Sequence, residues 1–230
     1  MCGRFTQRLS TGEFARIFGA RDLVDGAGER YNVAPAQPVV AVVARDQERV
    51  LDQFRWGLVP GWAESPASGR RMFNARAETI ASSPAFRHSF RAKRCLIPVD
   101  GFYEWRKAAD GTRQPHYITA AEGTPLVFAG LWSAWRQHGS DAPPLLSCTI
   151  VTTTPNALLA SLHSRMPVIL PAAAWDLWLD SGLTDVGELP ALLRPSDADL
   201  VVYPVSPLVG SVRNQGPGLI APTGDPITSD

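Results

Sequence analysis

Leu126-Val127-Phe128-Ala129-Gly130-Leu131 is an uninterrupted apolar run that begins directly after Pro125. Six such residues are too few for a buried helix and suit a strand covered on both faces. Working outward from it, segments of the same kind recur at 95–99 and 145–151, then at 39–43, 50–56, 116–120, 166–170 and 200–205. Most are short, apolar and bounded by Pro or Gly, which predicts strands of a curved sheet or a partly closed barrel. Helical patterns are few. Ser10-Thr11-Gly12-Glu13 has the form of a capping box, and Phe14, Ile17 and Phe18 follow at helical spacing until Gly19. Shorter helical pieces are expected at 155–162, 172–180 and 188–193. Strands and helices do not alternate regularly, so the expected class is α+β, not a doubly wound sheet.

The chain has 230 residues, 45% of them hydrophobic, enough for one substantial core. No break divides it, and a single domain over 1–222 is expected, followed by a flexible tail at 223–230 that is rich in proline, small polar residues and acids. There is no run of eighteen apolar residues and no charged n-region followed by an apolar h-region, so the expectation is a cytoplasmic monomer without a membrane partner. Three cysteines, Cys2, Cys95 and Cys148, fit neither a disulfide framework nor a zinc site. Cys95 and Cys148 lie in apolar runs and read as inert core residues. Nothing identifies a metal or an organic cofactor.

A net charge of zero conceals two opposite halves. Residues 1–115 hold 18 Lys and Arg against 12 Asp and Glu, whereas residues 116–230 hold 4 against 10. The densest basic stretch, Arg70, Arg71, Arg76, Arg87, Arg91, Lys93 and Arg94, predicts a phosphate-facing surface, and 20 of the 22 basic residues are arginine, the better phosphate fork. Phe73, Phe86 and Phe90 interleave with this stretch and suit either base stacking or the core.

Cys2 follows the initiating Met1. Once Met1 is removed, one residue carries an α-amine and a thiol, groups that titrate at roughly 8 and 8.5 when unperturbed. An amine and a thiol on adjacent carbons can capture an aldehyde together, first as an imine and then as a five-membered thiazolidine. That chemistry suits covalent trapping more than turnover.

Polar strings then occur where a β-rich core would not require them: Arg30-Tyr31-Asn32-Val33-Ala34-Pro35, Trp56-Gly57-Leu58-Val59-Pro60-Gly61-Trp62, Phe73-Asn74-Ala75-Arg76-Ala77-Glu78-Thr79, Gly101-Phe102-Tyr103-Glu104-Trp105 and Leu162-His163-Ser164-Arg165-Met166-Pro167. With Met1-Cys2-Gly3-Arg4-Phe5 and the late Tyr203-Pro204-Val205-Ser206 and Val212-Arg213-Asn214, the chain resembles the SRAP-domain family, the SOS-response-associated group, over about residues 2–222. The resemblance implies a single α+β domain of curved antiparallel sheets, open-barrel-like with short helices, crossed by a positive DNA channel. It also implies a protein that recognises abasic sites in single-stranded DNA and crosslinks to them through the N-terminal cysteine. Residue by residue, Cys2 is then the nucleophile, Asn74, Glu104 and His163 take the other active-site positions, and Arg4, Arg76 and Arg165 hold phosphates. Family members often carry a second bulky aromatic beside the position of Trp62, where this chain has Ala63.

These roles are chemically coherent. A buried Glu104 can protonate the sugar ring oxygen as the hemiacetal opens, Asn74 can orient the amine without ionising, and His163 can relay a proton near neutral pH. His88, His116 and His138 read as surface or capping groups, and Trp62, with the rest of the 56–62 loop, as either a base-stacking platform or core packing. A second reaction class uses the same cysteine: a thiol peptidase or N-terminal-nucleophile hydrolase, with Cys2 attacking an amide and His163 as base. A DNA-binding module without chemistry leaves the polar set unexplained.

Overall fold

The computed structural model describes residues 2–24, 26–107, 110–183 and 186–227. In chain order its strands are β1 (Phe5–Gln7), β2 (Arg21–Asp22), β3 (Arg30–Val33), β4 (Pro38–Arg45), β5 (Glu48–Trp56), β6 (Asn74–Arg76), β7 (Arg94–Val99), β8 (Gly101–Lys107), β9 (Arg113–Ala120), β10 (Leu126–Trp135), β11 (Leu145–Thr153), β12 (Met166–Pro167) and β13 (Leu200–Pro204). Among the described residues four short α-helices accompany them: α1 (Thr11–Phe18), α2 (Arg87–Ala92), α3 (Ala157–Ala160) and α4 (Trp175–Leu179). The class is α+β, as the strand-rich pattern implied.

The apolar run at 126–131 lies in β10, antiparallel to β7 on one edge and β11 on the other. From β7 the sheet continues antiparallel through β4 to β5. β5 then meets β11 in parallel, Arg55 opposite Ser147 and Trp56 opposite Cys148. That last pairing closes β5, β4, β7, β10 and β11 into a ring, removing the sheet edges that an open sheet would leave. Side chains alternate between its two faces. Val39, Ala41, Val43, Cys95, Ile97, Phe128, Cys148 and Ile150 belong to one buried cluster, which also holds Cys2, Phe5, Phe102 and Ile118. Val40, Val42, Leu96, Val127, Ala129 and Val151 belong to the other, under Phe14 and Phe18 of α1, Phe90 of α2 and Trp178 of α4. Burial on both faces is why these strands read as continuous apolar runs and not as alternation. Gly130 in β10 is required by packing, because a Cβ there would lie 2.7 Å from Cys95 Sγ.

A second sheet runs β13-β9-β8-β1-β3, antiparallel throughout. One face, through Phe5, Phe102 and Ile118, joins the barrel core. The other packs Tyr103 and Tyr117 on Val205, Val209 and Leu219. The capping box at Ser10 is present in both halves, and Gly19 ends α1 with φ 56°.

Four expectations are refined by packing. Arg94 does not face phosphate: it is buried, and its guanidinium bonds the carbonyls of Phe90 and Trp178 at 2.6 Å, of Arg91 at 2.7 Å, and of Asp180. Phe90 is in the core and Phe73 and Phe86 pack against it, so these rings are structural. His116 is buried on β9, whereas His88 and His138 are exposed. In the stretch expected to be a tail, Thr223 N–H donates to Pro204 O at 2.9 Å and Ile227 N–H to Val202 O at 2.7 Å; residues 228–230 lie outside the described residues. Among the described residues no helix is long and apolar enough to cross a membrane.

Candidate functional site

Cys2 precedes β1, and β1 pairs β8 with Phe5 opposite Phe102 and Tyr103 N–H donating to Arg4 O at 2.9 Å. Continuing that register carries the start of the chain alongside Glu104. The Cys2 side chain is fully buried at the edge of the barrel core. From the barrel side, β6 runs parallel to β11 with Asn74 opposite Ile150, and Asn74 Nδ2 donates to Cys2 O at 2.8 Å. Asn74 Oδ1 is buried without a hydrogen-bond partner among the described residues.

The same end of β11 organises the rest of the site. Its Thr152 lies opposite Arg76 of β6 and opposite Pro167 of β12. The chain entering β12 comes from α3, capped by Asn156, and passes through His163 and Arg165. One barrel strand therefore sets Asn74 and Arg76 on one side and His163 and Arg165 on the other. Arg165 N–H donates to His163 Nδ1 at 3.0 Å, so in the neutral imidazole Nε2 carries the proton.

The electrostatics follow from burial. Glu104 is 5% exposed, and desolvation raises its carboxyl above the ordinary carboxylate range, with nearby positive charge, His163 included, pulling the other way. Burial, and after it the Glu104 carboxylate, pushes the Cys2 thiol well above its usual value. Burial thus favours the neutral form of each group over its charged form. His116 stands opposite Glu104 in the β8–β9 register, with Nδ1 3.1 Å from Gln114 O, and burial lowers its pKa. Its tripeptide context, Pro115-His116-Tyr117, gives no sequence sign of that place.

The arginines differ. Arg76 is exposed. Arg165 pairs with Glu78 and also donates to Thr152 O. Arg4 turns towards its own protein, with Nη1 donating to Asn32 Oδ1 and Val209 O at 2.7 Å and Nη2 to Gly210 O at 3.2 Å. Buried Asn32 then bonds the carbonyls of Val209, Ser211 and Asn214. Together they fix the 208–214 loop, which sequence reading did not single out as a supported element. In the 56–62 segment, Trp56 is core, its ring tilted at 48° against Phe5 with centroids 4.7 Å apart and its Nε1 donating to Phe73 O. Trp62 is 68% exposed on a turn tied down by Ala63 O, which accepts from Trp135 Nε1 at 2.7 Å. Among the described residues no group of three or more His, Cys, Asp or Glu side chains could hold a metal ion.

The sequence profile of the family described as SOS response associated peptidase (SRAP) matches residues 1–212. The chain belongs to the SRAP family. Its relatives include the abasic site processing protein YoaM of Bacillus subtilis, 41% identical over 96% of this chain and 97% of YoaM. The abasic site processing protein YedK of Escherichia coli is 33% identical over 96% of this chain and all of YedK. A crystal structure of a protein from Bacteroides thetaiotaomicron superposes with a TM-score of 0.86 at 26% identity, covering 96% of this chain and all of that one. The SRAP match thus spans both sheets, and Cys2, Asn74, Glu104 and His163 converge at their junction.

Proposed function

We propose that this SRAP protein, once Met1 is removed, traps abasic sites in single-stranded DNA by forming a thiazolidine through Cys2. The ring-opened abasic sugar presents an aldehyde at C1′. The Cys2 amine adds to that carbon, water leaves as the imine forms, and the thiol sulfur then adds to the imine carbon while its proton passes to nitrogen. Glu104 supplies the proton that opens the sugar and carries protons through the dehydration. His163 relays a proton from Nε2 or bonds the freed sugar hydroxyl. Asn74 holds the amine, Arg76 and Arg165 place the flanking phosphates, and Arg4 braces the 208–214 loop beside them.

The observation that carries this reading is the placement of Cys2, fully buried, with its carbonyl held by Asn74 Nδ2 at 2.8 Å and the chain start running alongside β8 and Glu104. A thiol peptidase attacks with a thiolate, generated by a lowered pKa or an adjacent base. Here burial and the Glu104 carboxylate raise the Cys2 thiol instead, which favours a sequence that begins with the amine and needs sulfur only for ring closure. The names of the relatives support the substrate, DNA carrying abasic sites.

Intact mass spectrometry after incubation with an abasic single strand tests the proposal. The expected product has the combined mass of protein and DNA less one water, survives denaturation, and is absent with an ordinary strand. It is also absent from Cys2→Ala and from protein that retains Met1 or carries an acetylated amine. A stable adduct from Cys2→Ala, or none from the processed wild type, overturns it.

A further inference from the structure

Glu78 lies just beyond β6, two residues after Arg76, and reaches across to Arg165, 87 positions away. Its Oε1 accepts from Arg165 Nη1 at 2.5 Å and its Oε2 from Nη2 at 2.9 Å. Arg165 Nη2 also donates to Thr152 O at 2.5 Å. The guanidinium is thus gripped along one edge by both carboxylate oxygens, and only 15% of its side chain is exposed against 50% for Glu78. Two features follow from that grip. The fork is held in one plane, and its charge is cancelled by a carboxylate standing more open to solvent than the arginine itself.

Building on the reading of Arg165 as a phosphate contact, we propose that Glu78 is a specificity-determining counter-ion: it neutralises Arg165 in the free protein and so holds down binding to intact single strands. A phosphate approaching Arg165 meets an adjacent negative charge, and such like-charge contacts suppress unwanted partners. The bonds to Arg165, and the nearby charge of Arg76, hold the Glu78 carboxyl below its ordinary range, so it is ionised at neutral pH. The penalty falls on every strand alike. Only a strand with an abasic site is then retained by the covalent step, so the penalty lowers occupancy by intact strands while a trapped lesion stays bound.

Glu78→Gln isolates the charge, because the amide oxygen still accepts from Arg165. Affinity is measured by fluorescence anisotropy with a labelled 20-nucleotide strand lacking any abasic site, over a range of salt. The expected result is a two- to fivefold tighter complex at low salt, about the worth of an exposed ion pair. The logarithmic salt dependence steepens by about 0.7, the share of one added phosphate contact on a single strand. In an Arg165→Gln background the same change adds nothing to the slope. If Glu78 serves only to hold Arg165 in place, Glu78→Gln leaves affinity unchanged and Glu78→Ala weakens it, and the proposal fails. A wild type that binds no single strand at any salt overturns the reading of Arg165 itself. Wild-type binding without tightening by Glu78→Gln overturns the role of Glu78 alone.

Discussion

The side-chain amide of Asn74 donates to the main-chain carbonyl of Cys2 at 2.8 Å, joining residues 72 positions apart. The bond fixes both the direction of the chain start and the amide flip, since Nδ2 is the donor. It leaves Asn74 Oδ1 buried without a partner among the described residues, an acceptor beside the residue whose amine is proposed to react. Buried acceptors of this kind are costly unless something fills them.

Asn74 should therefore act on rate more than on affinity. Asn74→Leu, which removes donor and acceptor at similar volume, is expected to slow single-turnover crosslinking by about tenfold, the scale of one or two hydrogen bonds. Affinity for an unreactive abasic analogue should stay within about twofold. Unchanged rates at saturating protein would remove Asn74 from the chemistry.

Glu104 makes opposite predictions for activity and stability. Glu104→Gln is expected to slow crosslinking by about a hundredfold or more, because a general acid is lost. Burial makes the charged form costly, so the folded pKa lies above the unfolded value and the native state keeps its proton longer. Wild-type stability then falls as pH rises past about 4.3 towards the folded value. Thermal melts should place Glu104→Gln above wild type by a few degrees at pH 7, with the difference vanishing near pH 4. A variant that melts lower at pH 7 would contradict the assigned direction.

The two tryptophans flanking the 57–61 turn should separate cleanly. Trp62→Ala is expected to leave the melting temperature unchanged and to weaken single-strand binding by about 1–3 kcal/mol, the worth of one stacked base. Trp56→Ala removes a buried ring and should destabilise by about 3–5 kcal/mol in denaturant titration. Equal loss of stability in both variants would show that Trp62 packs in solution.

Arg76 and Arg94 belong to one basic stretch but should behave differently. Arg76→Glu is expected to weaken single-strand binding and flatten its salt dependence, with stability unaffected. Arg94→Met leaves four carbonyls without their donor and should lower stability by about 3 kcal/mol while the salt slope stays as in wild type. A flattened slope in Arg94→Met would place that residue on the DNA side.

The class of the fold was legible because its signals are local. The run at 126–131, the bounded apolar segments and the Ser10 capping box each express a preference of neighbouring residues, and they appear as β10, the barrel strands and α1. The strands that build the site were not legible in this way: β1, β3, β6 and β8 are short or polar, and β6 exists only because β11 offers an edge to Asn74, Ala75 and Arg76. Arg94 and Arg76 look alike in sequence, and only the closure of the barrel decides that one is surrounded by carbonyls and the other by solvent.

The sequence by itself determined the strand-rich α+β class, the candidate set of Cys2, Asn74, Glu104 and His163, and the division of charge between the two halves. Tertiary structure decided everything that depends on distance and burial. It set Asn74 against Cys2 and Glu78 against Arg165, turned Arg4 onto the 208–214 loop, placed His116 opposite Glu104, and raised the Glu104 carboxyl and Cys2 thiol. The reason is physical: a pKa or an ion pair depends on solvent exclusion and on neighbours brought from far along the chain, and neither quantity exists until the sheets have closed.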